Sequence, residues 1–282
     1  MTEALSWVDP TTTSRAVLAC CSGIYASALA ELLVGDSLHP GGLASTRRLL
    51  RMAGLAPGAR VLDAGSGLGA SARLAAGEFG LSVDAVDGSA ESLQLAKARS
   101  GATRISWHLA ELSHLPFDDG TFEAVLAECV LSTTERVPVL RELARVLRPG
   151  STIMMSDVEV DEDAIPALVN HRLLGSALCV TTAWQPGELE VGLADAGFYL
   201  EQRWDLSQSI IDLVDRAEAR LGLATIAARD MGLDLAALAG ESVILGGASL
   251  NAVLAHDLAS DVRAAVRDGR LRYFGALARV VA

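Results

Sequence analysis

The sequence predicts an α/β protein: a doubly wound, seven-stranded, mostly parallel sheet with helices on both faces. Three observations lead there. Short apolar segments alternate with helical segments between residues 60 and 158, the signature of strand–helix–strand units. A glycine-rich turn, Gly65-Ser66-Gly67-Leu68-Gly69, follows the first of these strands. The chain has 282 residues, 51% of them hydrophobic, enough to cover both faces of a sheet.

The elements follow in order. Residues 1–15 are polar, and residues 16–34 and 43–53 read as two amphipathic helices joined by the turn-rich segment 35–42. Residues 60–63 form a short apolar strand and 70–79 a helix; 81–87 form the second strand, followed by a helix that Ser89 can cap. Strands three and four fall at 105–110 and 123–129. A helix over 134–147 is stopped by Arg148-Pro149-Gly150 before the fifth strand, 152–158. Two further strands, 198–207 and 271–281, enclose roughly sixty residues of helical periodicity. There Ile210, Leu213, Val214, Ala217 and Leu221 mark one apolar face, and Val253, Leu254, Leu258 and Val262 mark another.

Composition removes several function classes. A net charge of −12 repels both the phosphate backbone of nucleic acid and anionic lipid surfaces. The one lysine, Lys97, excludes a Walker-type phosphate loop and the Tyr-x-x-x-Lys pair of short-chain dehydrogenases. Four scattered cysteines, Cys20, Cys21, Cys129 and Cys179, make neither a disulfide framework nor a zinc site, so no metal is expected. The most apolar stretch, 16–34, is interrupted by Ser22, Gly23 and Glu31, and no basic region precedes it. The expectation is a cytoplasmic protein with no membrane or nucleic-acid partner.

In doubly wound sheets ligands bind at the carboxyl ends of the strands, where strand order reverses. Gly65, Gly67 and Ala70 satisfy the dinucleotide spacing G-x-G-x-x-G/A, and Asp87 lies about twenty residues on, where a ribose is held. Any ribose-bearing cofactor suits that pattern. The wider set of segments narrows it: Arg60-Val-Leu-Asp-Ala-Gly-Ser-Gly-Leu-Gly69, Ala85-Val-Asp-Gly-Ser89, Leu115-Pro-Phe-Asp-Asp-Gly-Thr-Phe-Glu-Ala-Val125 and Glu142-Leu-Ala-Arg-Val-Leu-Arg-Pro-Gly150. In this order they closely resemble the class I S-adenosylmethionine-dependent methyltransferases, whose fold is Rossmann-like.

The resemblance implies S-adenosyl-L-methionine as cofactor and a small-molecule methyl acceptor as partner. It implies that Asp63 and the turn carrying Gly65, Ser66, Gly67 and Gly69 hold the methionine end. Asp87, with Gly88 beside it, would bind the ribose hydroxyls. Glu111 would receive the adenine amino group, with the Leu112 N–H on the ring, and Glu128 would complete the set at the end of strand four. A narrower similarity, to the arsenite methyltransferase branch, runs through Glu128-Cys129-Val130, Ser156-Asp157-Val158, Leu174-Gly175-Ser176-Ala177-Leu178 and Ala194-Asp-Ala-Gly-Phe198. That branch gathers a trivalent metalloid with thiolates. Cys129 matches one such cysteine, and Cys20 or Cys21 could be another. The third position falls near Leu173, six residues before Cys179.

The resemblance implies an N-terminal helical lid over 1–54 and a methyltransferase core over 55–207; helical periodicity marks an insertion over 208–269, serving as lid, substrate wall or homodimer surface, before a final core strand over 270–282. Tyr25 and His39, from the lid, join Cys129 as candidate catalytic residues. His108, His114, His171 and His256 show no partner pattern and read as structural. Two other classes compete: a nicotinamide oxidoreductase, and a non-catalytic protein that keeps the cofactor fold as a scaffold. An oxygen or nitrogen acceptor is the alternative to a thiol or metalloid.

Overall fold

The computed structural model describes residues 35, 37, 39–101, 104–164, 182–231 and 252–281. Its centre is one seven-stranded sheet in the order β3-β2-β1-β4-β5-β7-β6. The strands are β1 (Arg60–Ala64), β2 (Ser82–Asp87), β3 (Ile105–Leu109), β4 (Phe122–Glu128), β5 (Leu147–Val160), β6 (Phe198–Asp205) and β7 (Leu271–Val280). Pairing from β3 through β5 is parallel, whereas β7 runs antiparallel to both of its neighbours. The expected doubly wound, mostly parallel sheet of seven strands is therefore present, and strand order reverses between β1 and β4.

The helices are α1 (Gly42–Ala53), α2 (Ala70–Glu78), α3 (Ala90–Arg99), α4 (Arg136–Val146), α5 (Glu188–Asp195), α6 (Gln208–Asp230) and α7 (Ala252–Arg267). Helix α3 is capped as its sequence requires, with Ser89 Oγ accepting the Ser92 N–H at 3.2 Å. Helix α1 ends on Gly54, whose left-handed backbone lets its N–H return to the Leu50 carbonyl.

Burial on both faces explains why the central strands read as nearly unbroken apolar runs. On one face Leu62, Val125, Ile153 and Ala276 pack with Leu140 and Leu143 of α4 and Leu189 of α5. On the other, Val61, Val83, Leu126 and Met154 pack with Leu49 and Leu50 of α1 and Leu74 of α2. Each such large apolar side chain contributes about 1.5–3 kcal/mol on burial.

A third cluster lies at the far end of β5 and β7. Ile210 of α6 and Val262 and Ala265 of α7 close over Val158, Val160, Leu271 and Tyr273. The helices between β6 and β7 thus cover that sheet end, while Leu223 and Ile226, farther along α6, stay exposed. Among the described residues no helix is long and apolar enough to cross a membrane.

Candidate cofactor and acceptor site

The carboxyl ends of β1, β2 and β4 converge where strand order reverses. β1 delivers Asp63, only 4% exposed, and then turns sharply at Gly65. Gly65 has φ +75°, and a Cβ there would stand 2.4 Å from Val130 Cγ2, so only glycine fits. Gly69 is held likewise: φ is +76°, and a Cβ would meet the Trp107 ring at 2.3 Å. The turn is fastened to β2 by the Gly65 and Ser66 N–H groups, both 2.9 Å from the Val86 carbonyl.

Asp87 ends β2 and organises the cleft. Its Oδ2 accepts the Gly67 N–H and its Oδ1 the Ser89 N–H, each at 2.8 Å. Each oxygen keeps a second lone pair for a ligand hydroxyl. Burial raises the Asp87 carboxyl above its usual range, and those two N–H donors oppose the shift.

Asp63 is the more perturbed acid. Burial, then the charges of Glu128 and Asp87, push it up to about 8. Its Oδ2 has no partner, and neither has the buried Ser66 Oγ of the following turn. A buried carboxylate oxygen without a partner is rare and suits a polar ligand.

The end of β4 is built differently. The Glu128 side chain is 5% exposed. Its Oε2 accepts from Thr46 Oγ1 at 2.9 Å and Ser71 Oγ at 2.8 Å. The Ser45 and Ser156 hydroxyls stand 3.3 and 3.4 Å from Oε1. His39, itself buried, places Nε2 3.5 Å from Oε2 and bonds the Ser37 hydroxyl at 3.0 Å. Helices α1 and α2, strand β5 and the segment before α1 are thereby tied to one carboxylate.

Cys129 follows with φ +51°, the only positive φ at a non-glycine among the described residues. Its N–H is held by the Ser156 carbonyl at 2.8 Å. Burial, then the Asp157 charge, push its thiol well above the ordinary range, while the Tyr273 hydroxyl opposes them. Tyr273 is fully buried on β7 and donates to Ser156 Oγ at 2.7 Å. Asp157 is also buried, with Oδ2 on the Ser132 N–H and Oδ1 on the Val158 N–H, both at 2.9 Å.

The structure brings Asp63, Gly65, Ser66, Gly67, Gly69, Asp87 and Gly88 to one cleft. Glu128 and Cys129 stand at the neighbouring strand end, and His39 packs on Glu128. Glu111 lies exposed beyond β3, and Leu112 beside it is 8% exposed. Tyr25, Cys20, Cys21, Leu173, Cys179 and His171 lie outside the described residues, as does the segment 16–34.

Sequence reasoning missed Ser45, Thr46, Ser71, Ser156 and Tyr273. A usable signal was there: each is a polar residue on an otherwise apolar helix or strand face. His108, read as structural, bonds Asp84 of the adjacent strand at 2.8 Å, and the exposed His256 bonds Glu218 at 2.6 Å.

Comparison with known proteins agrees with this geometry. Residues 62–155 match the family described as "Methyltransferase domain". Methyltransferase GfsG of Streptomyces halstedii is 34% identical over 130 residues, 44% of this chain and 47% of that protein. An arsenite methyltransferase of Halobacterium salinarum is 36% identical over 152 residues, 52% of this chain and 39% of that protein. The chain thus spans about half the length of such relatives.

Among solved structures, phosphoethanolamine N-methyltransferase 2 of Haemonchus contortus, in complex with phosphomonomethylethanolamine and S-adenosylhomocysteine, superposes with a TM-score of 0.65 at 19% identity. That match covers 95% of this chain and 57% of the other. The [4+2]-cyclase SpnF superposes with a TM-score of 0.66 at 19% identity, covering 96% and 97% of the two chains. These likenesses establish the fold.

Over residues 62–155 the chain is similar to the methyltransferase domains of the class I S-adenosylmethionine-dependent family. That family's cofactor fits the cleft. The orphaned Asp63 Oδ2 suits its ammonium, the two-oxygen Asp87 suits a ribose, and the glycine turn leaves room for the chain between them.

Proposed function

We propose that this protein transfers a methyl group from S-adenosyl-L-methionine to a small-molecule acceptor bound beside Cys129. The observation that carries the proposal is the pair of acids at the ends of β1 and β2: a buried Asp63 with one unpartnered oxygen, near a carboxylate already aimed by two backbone N–H groups. Bound there, the donor supplies an electrophilic methyl group on a sulfonium.

The chain's own residues do the rest. Asp63 would neutralise the donor's ammonium, with Ser66 beside it. Asp87 would fix the ribose, Leu112 and Glu111 would meet the adenine, and Glu128 would hold α1, α2 and β5 around the methyl end. Holding acceptor and methyl in line is worth up to about 7–11 kcal/mol of barrier. The acceptor would be held at the ends of β4 and β5, and His39, Tyr25 and Cys129 are the candidates to orient it. His39 would serve an oxygen or nitrogen acceptor as a base, a contribution of about 10²–10⁴-fold.

A metalloid acceptor is the second reading, favoured by the place of Cys129 and the likeness to an arsenite methyltransferase. Against it, soft-metal ligation needs a thiolate, and burial holds the Cys129 thiol protonated. The protonated thiol therefore weighs toward an organic acceptor. The cofactor reading would make the protein a soluble cytoplasmic enzyme, with the helices between β6 and β7 as an acceptor wall or dimer surface.

Calorimetry with S-adenosylmethionine and with NAD tests the donor: heat is expected from the first alone, and heat from NAD alone would restore the oxidoreductase class. An acceptor screen with labelled donor, including thiols and arsenite, then separates the acceptors. Full arsenite methylation by wild type that Cys129→Ser abolishes would establish the second reading.

A further inference from the structure

Negative charge crowds the cleft. Asp63 is 4% exposed with a partnerless Oδ2, while β2 turns Asp87 toward it and β4 turns Glu128. The other surroundings leave that imbalance in place. Helix α2 offers the Ser71 hydroxyl and the Ala72 N–H, which opposes burial at Asp63; Arg73 directs a guanidinium nitrogen to the Leu68 carbonyl at 2.7 Å. Helix α1 offers only the hydroxyls of Ser45 and Thr46. His39 lies against Glu128, and burial keeps Cys129 and Tyr273 uncharged. What acts on Asp63 is burial, then the charges of Glu128 and Asp87, opposed by the Ala72 N–H.

Carboxylates packed together out of water do not all stay ionised. We infer that in the free protein Asp63 carries a proton at neutral pH, and that binding a cationic donor expels this proton to solvent. The inference rests on the donor reading above and adds a proton to its stoichiometry. The step balances as an acid dissociation: the Asp63 O–H bond breaks, the electron pair stays on Oδ2, and the proton goes to buffer. The carboxylate formed then faces the donor's ammonium.

Two consequences follow from a carboxyl that titrates at about 8 when free. At pH 7 binding releases most of one proton, and donor affinity climbs as pH rises toward about 8 before levelling. The pH dependence is a property of binding and needs no acceptor.

The test is calorimetric titration of S-adenosylmethionine into the full chain at pH 7, in phosphate and in Tris, buffers of very different ionisation enthalpy. The expected result is heats that differ by the amount due to about one released proton, with the difference gone in Asp63→Asn. Infrared difference spectra of the wild type supply a second readout: a protonated-carboxyl band should be lost as donor is added, even if the variant folds poorly. Equal heats in the two buffers, an unchanged carboxyl band, or proton release that persists in a folded Asp63→Asn would each overturn the inference while leaving the donor reading standing. No binding heat from the wild type in any buffer would overturn the donor reading, and this inference with it.

Discussion

The carboxyl ends of β1 and β2 and those of β4, β5 and β7 are neighbours in one sheet, yet they handle polarity in opposite ways. At the first, Asp63 Oδ2 and Ser66 Oγ are buried without partners, and the turn takes positive φ at Gly65, Gly67 and Gly69. At the second, Glu128 collects hydroxyls from Thr46, Ser71, Ser45 and Ser156, and Tyr273 closes the set from β7. One end leaves polar groups free for a ligand, and the other uses them to hold helices in place. A buried acid is therefore informative through its partners more than through its burial.

The largest expected effect comes from breaking the closed end. Glu128→Ala strands three or more hydroxyls and His39, and should destabilise the protein by about 3–5 kcal/mol. Glu128→Gln, keeping one acceptor oxygen, should lose less than half of that in urea denaturation. Near-equal stability of wild type and Glu128→Ala would erase the distinction between the two ends.

Next comes Gly65→Ala. A methyl group 2.4 Å from Val130 Cγ2, on a left-handed backbone, should cost about 2–4 kcal/mol and abolish donor binding. Asp87→Asn sharpens the comparison, because it keeps the shape and removes the charge. Donor affinity should fall about 10–100-fold, the worth of a charged hydrogen bond, while the melting temperature shifts by only a few degrees.

Asp63 gives a pH signature of its own. Its folded pKa lies above the unfolded value, so the folded state binds more protons between about pH 4 and pH 8. Stability of the free protein should accordingly fall as pH rises through that window, and Asp63→Asn should flatten the fall in melting temperature. The smallest effect belongs to Cys129→Gly. Relief of the positive φ, about 1 kcal/mol, nearly cancels the packing lost, and denaturation midpoints should barely move.

What was legible in the sequence divides along the same line. The open end is local: β1, its turn, α2 and β2 are consecutive, so Gly65 and Asp87 follow from spacing, and Asp63 from the family resemblance. The mostly parallel sheet with helices on both faces follows from the alternation of strands and helices. The closed end is assembled from distant segments. Thr46 reaches Glu128 across 82 positions and Tyr273 reaches Ser156 across 117, and no periodicity encodes such pairings. Asp84 and His108 pair for a similar reason, across adjacent parallel strands. Glu128 was marked from a family pattern, but its anchoring role came only from three-dimensional contacts.

A co-crystal structure with S-adenosylhomocysteine tests the central claim most directly. The account predicts the ribose hydroxyls on the Asp87 carboxylate and the ammonium within hydrogen-bonding distance of Asp63 Oδ2. A nucleoside seated anywhere other than the ends of β1 and β2, or with Asp63 Oδ2 still lacking a partner, would contradict it.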